Sequence, residues 1–360
     1  MKNSFLENLN QGVLGLKPYE PGLPLEHTQK KLGLEKMIKL ASNENPLGPS
    51  PKALDLLQGK MNSFSSELNR YPDGNAYELK EAISKKYNVD PKQITIGNGS
   101  NDLIEFVSRC FLGEGKKAIY SQHGFEIYPL DIKATGALPV KSKAKNWGHD
   151  LELMTDLIDD KTKVIFIASP NNPTGTAKTL LEIKDFLNNL PDDILVFLDQ
   201  AYYEYIEGSE FDIPFSLIDD HPNLVISRSF SKAHGLAALR LGFCVSSLEL
   251  SDYLNRVRQP FNANSLALDL GKIALSDQEH ISKSVKINSS GMDRVKKAFI
   301  NFDYEFIESW GNFISFDAKQ DSDVAFQYFL EKGVILRSLK VYEMPQHLRV
   351  SIGTEEEMDF

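Results

Sequence analysis

Residues 228–240 read R-S-F-S-K-A-H-G-L-A-A-L-R. Lys232 stands there among small and hydroxyl-bearing neighbours, with a second cation, Arg240, further along the same stretch. A lysine so placed is an amine nucleophile toward a carbonyl. Ser229, Ser231 and Arg240 can hold a dianionic phosphate beside it. An aldehyde that carries a phosphate suits both halves of that description, and pyridoxal phosphate is such a molecule. The reading gains its weight from other segments able to supply the remaining parts of the site.

Asp199 ends the apolar run I-L-V-F-L-D and precedes Gln200, Ala201 and Tyr202. In open α/β sheets ligands collect at the carboxyl ends of strands. A carboxylate there can pair with a protonated pyridine nitrogen and keep the ring an electron sink; taken alone it is equally an ordinary strand-end aspartate. S-P-N-N-P-T-G (169–175) is a turn by composition, and in it Asn172 could aim its amide at a cofactor's phenolic oxygen, with Tyr202 as a second donor. G-N-G-S-N-D (97–102) joins a strand to a helix, so backbone N–H groups near Ser100 and Asn101 form an anion site or simply a helix start. Asp102 occupies the third glycine position of a dinucleotide fingerprint and excludes that motif. Phe125, in H-G-F-E-I-Y, could stack on a ring or fill the core. Arg337 (V-I-L-R) and Arg349 (L-R-V-S-I-G-T) sit in short apolar strands and need acceptors, either a structural carboxylate or the anionic end of a substrate. Tyr71, in L-N-R-Y-P-D-G, and Tyr19 are further hydroxyl donors or ordinary surface residues.

The elements that must position these residues follow from periodicity. From about residue 76, helical spacing alternates with short apolar runs: 76–87 and 100–112 read as helices, while 93–97, 117–120, 163–168, 193–199, 224–227 and 241–246 read as strands. Runs that are apolar throughout suit strands buried on both faces of a mainly parallel sheet. An α/β fold is predicted, with a large domain whose mainly parallel central sheet is flanked by helices. After about residue 262 the pattern changes to two helices (264–276 and 282–300), an antiparallel pair (304–309 and 312–317), a further helix and short strands. This predicts a smaller α+β C-terminal domain. The division is therefore 1–40, 41–262 and 263–360. Residues 1–40 read as an irregular arm, because Pro18, Pro21 and Pro24 break any helix over 17–24; such an arm would lie on the small domain or on a partner subunit. Thr354 and Glu357 form a capping box, and Phe360 follows before two helical turns are complete, so a truncated terminal helix is expected.

Composition narrows the classes. With 360 residues, 41% hydrophobic and 25% charged, the chain is ordinary for a globular protein. A net charge of −10 argues against nucleic-acid binding. Cys110 and Cys244, distant and in no C-x-x-C pattern, read as two buried, inert thiols with no metal or disulfide role. No signal peptide or membrane span is apparent, and the cytoplasm is the expected location.

Taken together, the segments resemble the aspartate-aminotransferase-like, fold-type I pyridoxal-phosphate enzymes, and within them the histidinol-phosphate aminotransferase branch. The match runs from A-S-N-E-N-P-L-G-P-S-P (41–51) through every motif above to L-R-V-S-I-G-T, in the family's order. The resemblance implies that Lys232 condenses with the cofactor, Asp199 pairs with its ring nitrogen, Asn172 and Tyr202 donate to its phenolic oxygen, and Phe125 stacks on the ring. It implies a phosphate cup of Ser100, Asn101, Ser229, Ser231 and Arg240, with Tyr71 reaching the cup of a partner subunit in a homodimer. Arg337, Arg349, Asn172 and Tyr19 would meet the substrate. The implied reaction interconverts L-histidinol phosphate and 2-oxoglutarate with imidazole-acetol phosphate and L-glutamate, in histidine biosynthesis. Two substitutions depart from the family pattern: Gln200 replaces a common glutamate, with little effect expected, and Phe125 replaces a common tyrosine, which keeps the stack. An aromatic or broad-specificity aminotransferase, or a phosphothreonine-type decarboxylase, would share the cofactor residues. A non-catalytic regulator domain is the remote alternative, without the helix-turn-helix it would need.

Overall fold

The computed structural model describes residues 8–18 and 22–360, the side chains of 61–67 excepted; Tyr19 lies outside the described residues. Thirteen strands occur among them: β1 (Ile38–Lys39), β2 (Ile94–Gly97), β3 (Lys117–Ser121), β4 (Leu138–Ser142), β5 (Thr162–Ala168), β6 (Leu195–Asp199), β7 (Leu224–Ser229), β8 (Gly242–Val245), β9 (Phe306–Ile307), β10 (Phe313–Asp317), β11 (Val334–Ile335), β12 (Arg337–Ser338) and β13 (His347–Ser351).

Seven of them form one sheet in the order β2-β8-β7-β6-β5-β3-β4. From β7 to β4 all neighbours are parallel, and β8 alone runs against the rest. The all-apolar runs explain why this sheet is central. Side chains alternate between faces, so Ile165, Ile167, Val196 and Leu198 enter one buried cluster, while Val164, Phe166, Leu195 and Phe197 enter the other. Burying each such side chain is worth about 1.5–3 kcal/mol, and covering both faces requires helices on both. Those helices include Pro51–Glu67, Tyr77–Tyr87, Ser100–Phe111 and Leu180–Asn188. β4, with Pro139 and an exposed Leu138, is the edge strand that the sequence pattern passes over.

The smaller C-terminal sheet is antiparallel, in the order β12-β13-β10-β9. Ile314, Phe316, Leu348 and Val350 pack with Met292 and Ala325 of the helices Gln278–Asn301 and Ser322–Glu331. The predicted helix over 264–276 is present as Ser265–Ser276, but Ala267, Leu270, Ala274 and Leu275 join the cluster under the large sheet.

The N-terminal segment is more regular than its prolines suggest. Pro24 precedes a helix, Leu25–Leu32, which ends at Gly33 with φ 66°, as Pro at a helix start and Gly at its end favour. Asn10 Nδ2 donates to Ala134 O (3.3 Å) on the large sheet's side, and β1 pairs in parallel with β11 of the small domain. The capping box of Thr354 and Glu357 starts the helix Glu355–Asp359. Both cysteines are free; Cys244 is buried as expected, but Cys110 is partly exposed, because its helix turns it toward Tyr253 O at the surface. Among the described residues no helix is long and apolar enough to cross a membrane.

Candidate active site

β5, β6 and β7 run parallel, so the chain leaves all three at the same end of the sheet: after Ala168 into 169–178, after Asp199 into 200–205, and after Ser229 into the segment carrying Lys232. Between these loops and the small sheet lies a cleft of about 210 Å³. Its lining includes Ser100, Asn101, Phe125, Asn172, Asp199, Tyr202, Ser229, Ser231, Lys232, Arg240, Arg337 and Arg349. Residues far apart in sequence thus face one small volume, as a site assembled at strand ends should.

Asp199 is buried. Its Oδ1 accepts from Ala201 N–H (3.0 Å) and Ser227 Oγ (3.3 Å), and its Oδ2 accepts from the Tyr128 hydroxyl (3.1 Å). Desolvation raises its pKa, opposed by those bonds and by the charge of Lys232. The three donors are neutral. The carboxylate is therefore oriented without being neutralised, which suits pairing with a cation in the cleft.

Lys232 Nζ donates to Ser42 O (3.1 Å) and lies 5.5 Å from the centre of the Tyr202 ring. Burial lowers its pKa to about 8, helped by the Arg349 and Arg240 charges and opposed by Glu44 and Asp199. Near neutral pH a usable fraction of this amine is unprotonated, as a nucleophile or general base requires.

Four groups build a cup at one end. The helix Ser100–Phe111 begins at Gly99, whose φ is 86° and which provides no side-chain cap, so the first N–H groups remain to meet an anion. Arg240 Nη1 donates to Ser231 Oγ (3.3 Å), and Ser231 N–H donates to Ser229 Oγ (3.1 Å). Glycine is required at the base of the cup: a Cβ at Gly99 would lie 2.4 Å from Arg240 Nη2, and one at Gly242 would lie 2.7 Å from Ser100 N. Small hydroxyls, helix N–H groups and one guanidinium suit a phosphate, and the cup fits the phosphate of the expected cofactor.

The opposite end belongs to the small sheet. Arg337 on β12 and Arg349 on β13 face each other in register, with Ser315 of β10 next in the row. Arg349 donates through Nη1 to Asn172 Oδ1 and through Nη2 to Ala41 O (2.6 Å). Arg337 pairs with Glu126 (3.2 Å), which also accepts from the Tyr342 hydroxyl (3.4 Å). Desolvation raises the pKa of Glu126, opposed by Arg337 and Tyr342. Ser315 Oγ donates to Pro173 O (2.6 Å), so the small sheet holds the 169–175 turn at two points.

Two sequence-predicted residues stand apart. Tyr71 does not line its own chain's cleft; it is 81% exposed and stacks on Phe261 with centroids 4.6 Å apart. Tyr19 lies outside the described residues. Phe125 lines the cleft, edge-on to Tyr128 at 5.9 Å. Gln200 points away from Asp199 into the protein, where its Oε1 accepts from Arg228 Nε (3.3 Å). That buried guanidinium lies against Tyr203 (3.3 Å), Phe215 (4.4 Å) and Tyr87 (4.8 Å), aromatic faces that favour a cation, and its charge is felt by the buried Glu204 carboxylate. Sequence reasoning missed Tyr128, Ser227, Glu126, Tyr342 and Asn43. Asn43 lies inside the run 41–51 that carried the family match, and nothing in that run marks it for a role.

The family described as aminotransferase class I and II matches residues 35–359. A Pseudomonas aeruginosa protein named histidinol-phosphate aminotransferase 2 is 46% identical over 359 residues, covering 99% of this chain and 96% of its own. A Mannheimia succiniciproducens protein named histidinol-phosphate aminotransferase 1 is likewise 46% identical, covering 98% of this chain and 96% of its own. In three dimensions the chain is similar to a Sinorhizobium meliloti histidinol-phosphate aminotransferase crystallised with pyridoxal-5'-phosphate, with a TM-score of 0.88, 23% identity and coverage of 98% and 95%. A Thermus thermophilus aspartate aminotransferase double mutant aligns with a TM-score of 0.81 at 19% identity, covering 97% and 96%.

Proposed function

Because the chain belongs to the class I and II aminotransferases, we propose that it is a pyridoxal 5'-phosphate-dependent transaminase interconverting L-histidinol phosphate and 2-oxoglutarate with imidazole-acetol phosphate and L-glutamate. One observation carries the reading: a single cleft joins Lys232, whose pKa burial lowers, the oriented Asp199 and a glycine-floored anion cup. The substrate rests on the full-length likeness to proteins of that name.

When bound, the cofactor supplies an aldehyde for amine exchange and a cationic ring that withdraws electrons. Ser100, Asn101, Ser229, Ser231 and Arg240 would hold its phosphate, Asn172 and Tyr202 its phenolic oxygen, Phe125 its ring face, and Asp199 its ring nitrogen as a charged partner. Lys232 would be the attachment point, and once the substrate amine has displaced it, its free Nζ would take the proton from the substrate's α-carbon. Arg337 and Arg349 orient the substrate's anionic end; a guanidinium fork fits carboxylate and phosphate alike, so one site serves both substrates. Tyr19 would close this end.

The reading extends to a homodimer in which Tyr71 enters the partner's cup. Exposed Tyr71, Phe261, Leu68 and Tyr77 support it, as an apolar surface that a partner would cover. We divide the chain into an arm over 1–40, a large cofactor-binding domain from 41 and a small domain to 360. The packing of Ser265–Ser276 favours a boundary after that helix rather than at 262. The two free thiols suit a cytoplasmic location.

The test is a donor–acceptor panel with purified protein, comparing histidinol phosphate, phenylalanine, tyrosine and glutamate. Histidinol phosphate with 2-oxoglutarate should turn over fastest. A preference for phenylalanine or tyrosine would reassign the substrate, and carbon dioxide release without a 2-oxo acid would indicate a decarboxylase. Lys232→Ala should abolish turnover and the visible band of the lysine-bound cofactor; full activity in that variant would end the proposal.

A further inference from the structure

Three consecutive residues touch three groups of the site. Ala41 O accepts from Arg349 Nη2 (2.6 Å), Ser42 O accepts from Lys232 Nζ (3.1 Å), and Asn43 Nδ2 donates to the Tyr202 hydroxyl oxygen (2.9 Å). Asn43 is 1% exposed and has φ 54°, a left-handed conformation that asparagine tolerates better than most residues. Ser351 sets the orientation of its amide. The Asn43 backbone N–H donates to Ser351 Oγ (2.8 Å), and that hydroxyl donates to Asn43 Oδ1 (2.8 Å). Asn43 O in turn accepts from Asn312 Nδ2 (3.0 Å). With Oδ1 committed to Ser351, the NH₂ group must face Tyr202. An NH₂ group only donates, so the Tyr202 oxygen accepts from that side and its own proton must point elsewhere.

We propose that Asn43 is a positioning residue whose amide, locked by Ser351, aims the Tyr202 proton into the cleft and makes Tyr202 an obligate donor to the ligand oxygen it faces. This rests on the aminotransferase reading, in which that oxygen is the cofactor's phenolic one. The other groups around Tyr202 are compatible with the role. Phe313 packs edge-on at 5.0 Å, and Lys232 lies over the ring. Burial raises the phenol's pKa, and Asp199 adds to this while Arg349 and the Asn43 bond oppose it, so the proton to be aimed stays on the oxygen.

A donor to a phenolic oxygen stabilises its anion and lowers the midpoint at which the bound chromophore titrates. The holoenzyme is therefore titrated by visible absorbance in wild type, Asn43→Gly, Tyr202→Phe and the double variant. Glycine keeps the left-handed backbone and removes only the amide. Asn43→Gly should raise the midpoint by about half a unit or more, and it should have no further effect once Tyr202→Phe is present, since the two changes remove one interaction. An unchanged midpoint in Asn43→Gly, or an equal shift in the Tyr202→Phe background, overturns the proposal. If Asn43→Gly yields no folded holoenzyme, Ser351→Ala replaces it in the same cycle, because freeing the amide lets its oxygen face Tyr202. A raised midpoint that vanishes in the Tyr202→Phe background then supports the proposal, and an unchanged midpoint or an equal shift overturns it. A wild-type protein with no visible band that Lys232→Ala removes would instead overturn the cofactor reading, independently of Asn43.

Discussion

The cleft has two ends that offer donors suited to an anion, built from different materials. The cup uses small hydroxyls, helix N–H groups and a single cation, Arg240, on the seven-stranded sheet, with Gly99 and Gly242 permitting the close approach. The far end uses two guanidiniums on the four-stranded sheet, both engaged with the protein: Arg349 with Asn172 and Ala41 O, Arg337 with Glu126. Neutral donors that are already arranged lose little on binding and suit a resident ligand. Cations that must exchange partners bind less tightly than bare ones would, which suits a ligand that enters and leaves every cycle. On the proposed function, such an architecture would separate what stays from what passes through.

Arg349→Ala gives the largest effect and could break the comparison. It should lower kcat/KM by about 10²–10³-fold, since truncating a buried charge-bonded partner costs roughly 3–4 kcal/mol, while cofactor retention after dialysis changes little. Loss of cofactor before loss of substrate affinity would mean that the two ends are not separate. Gly99→Ala should do the reverse. Its positive φ costs a side chain about 1–2 kcal/mol, and the added Cβ displaces Arg240, so cofactor affinity measured by fluorescence quenching should drop about tenfold with KM for the amino donor near wild type. Glu126→Gln weakens the competition for Arg337, and KM for an anionic substrate should fall about two- to fivefold. Because burial raises the pKa of Glu126, wild-type KM should move toward the variant's as pH falls through the range where this carboxyl protonates.

A different readout, stability rather than activity, concerns the lysine between the two ends. Its pKa is about 8 in the folded apoprotein against 10.5 ordinarily, and both Arg349 and Arg240 contribute to the lowering. Below pH 8 the amine is charged in both folded and unfolded chains, and the burial penalty is felt in full. Between pH 8 and 10.5 the unfolded chain holds a proton that the folded one has released, so stability rises with pH. Apoprotein carrying Lys232→Met should melt above wild type at pH 7, by an amount on the order of 1–3 kcal/mol, and the gap should close toward pH 10.5. A gap independent of pH would mean that the amine is not desolvated.

Both the sheet and most of the cleft lining were legible in the sequence for the same reason. Strands buried on two faces leave uninterrupted apolar runs, and residues that follow them line the cleft. β4 escaped because an edge strand is only half covered, and L-P-V-K-S carries a proline and a lysine. The helix Gln278–Asn301 begins four residues before the predicted start, since its first turn is polar. The bonds of Asn43 and Tyr128 to cleft residues were invisible: each reaches a partner more than seventy positions away, at a bond length no local pattern encodes. Gln200 shows a different limit. Its neighbour in sequence is Asp199, but strand alternation sends the two side chains to different partners, and its neighbour in space is Arg228.

The face-to-face register of Arg337 and Arg349 has one more consequence. Two side chains on adjoining strands keep the spacing of the hydrogen-bond ladder, whatever the loops around them do. The pair therefore has a fixed backbone gauge and movable tips. The strands set where the two side chains start, and their flexible stems decide how far the guanidiniums follow a ligand, so a change of selectivity is easier to build into the walls of the cleft than into the spacing of the pair.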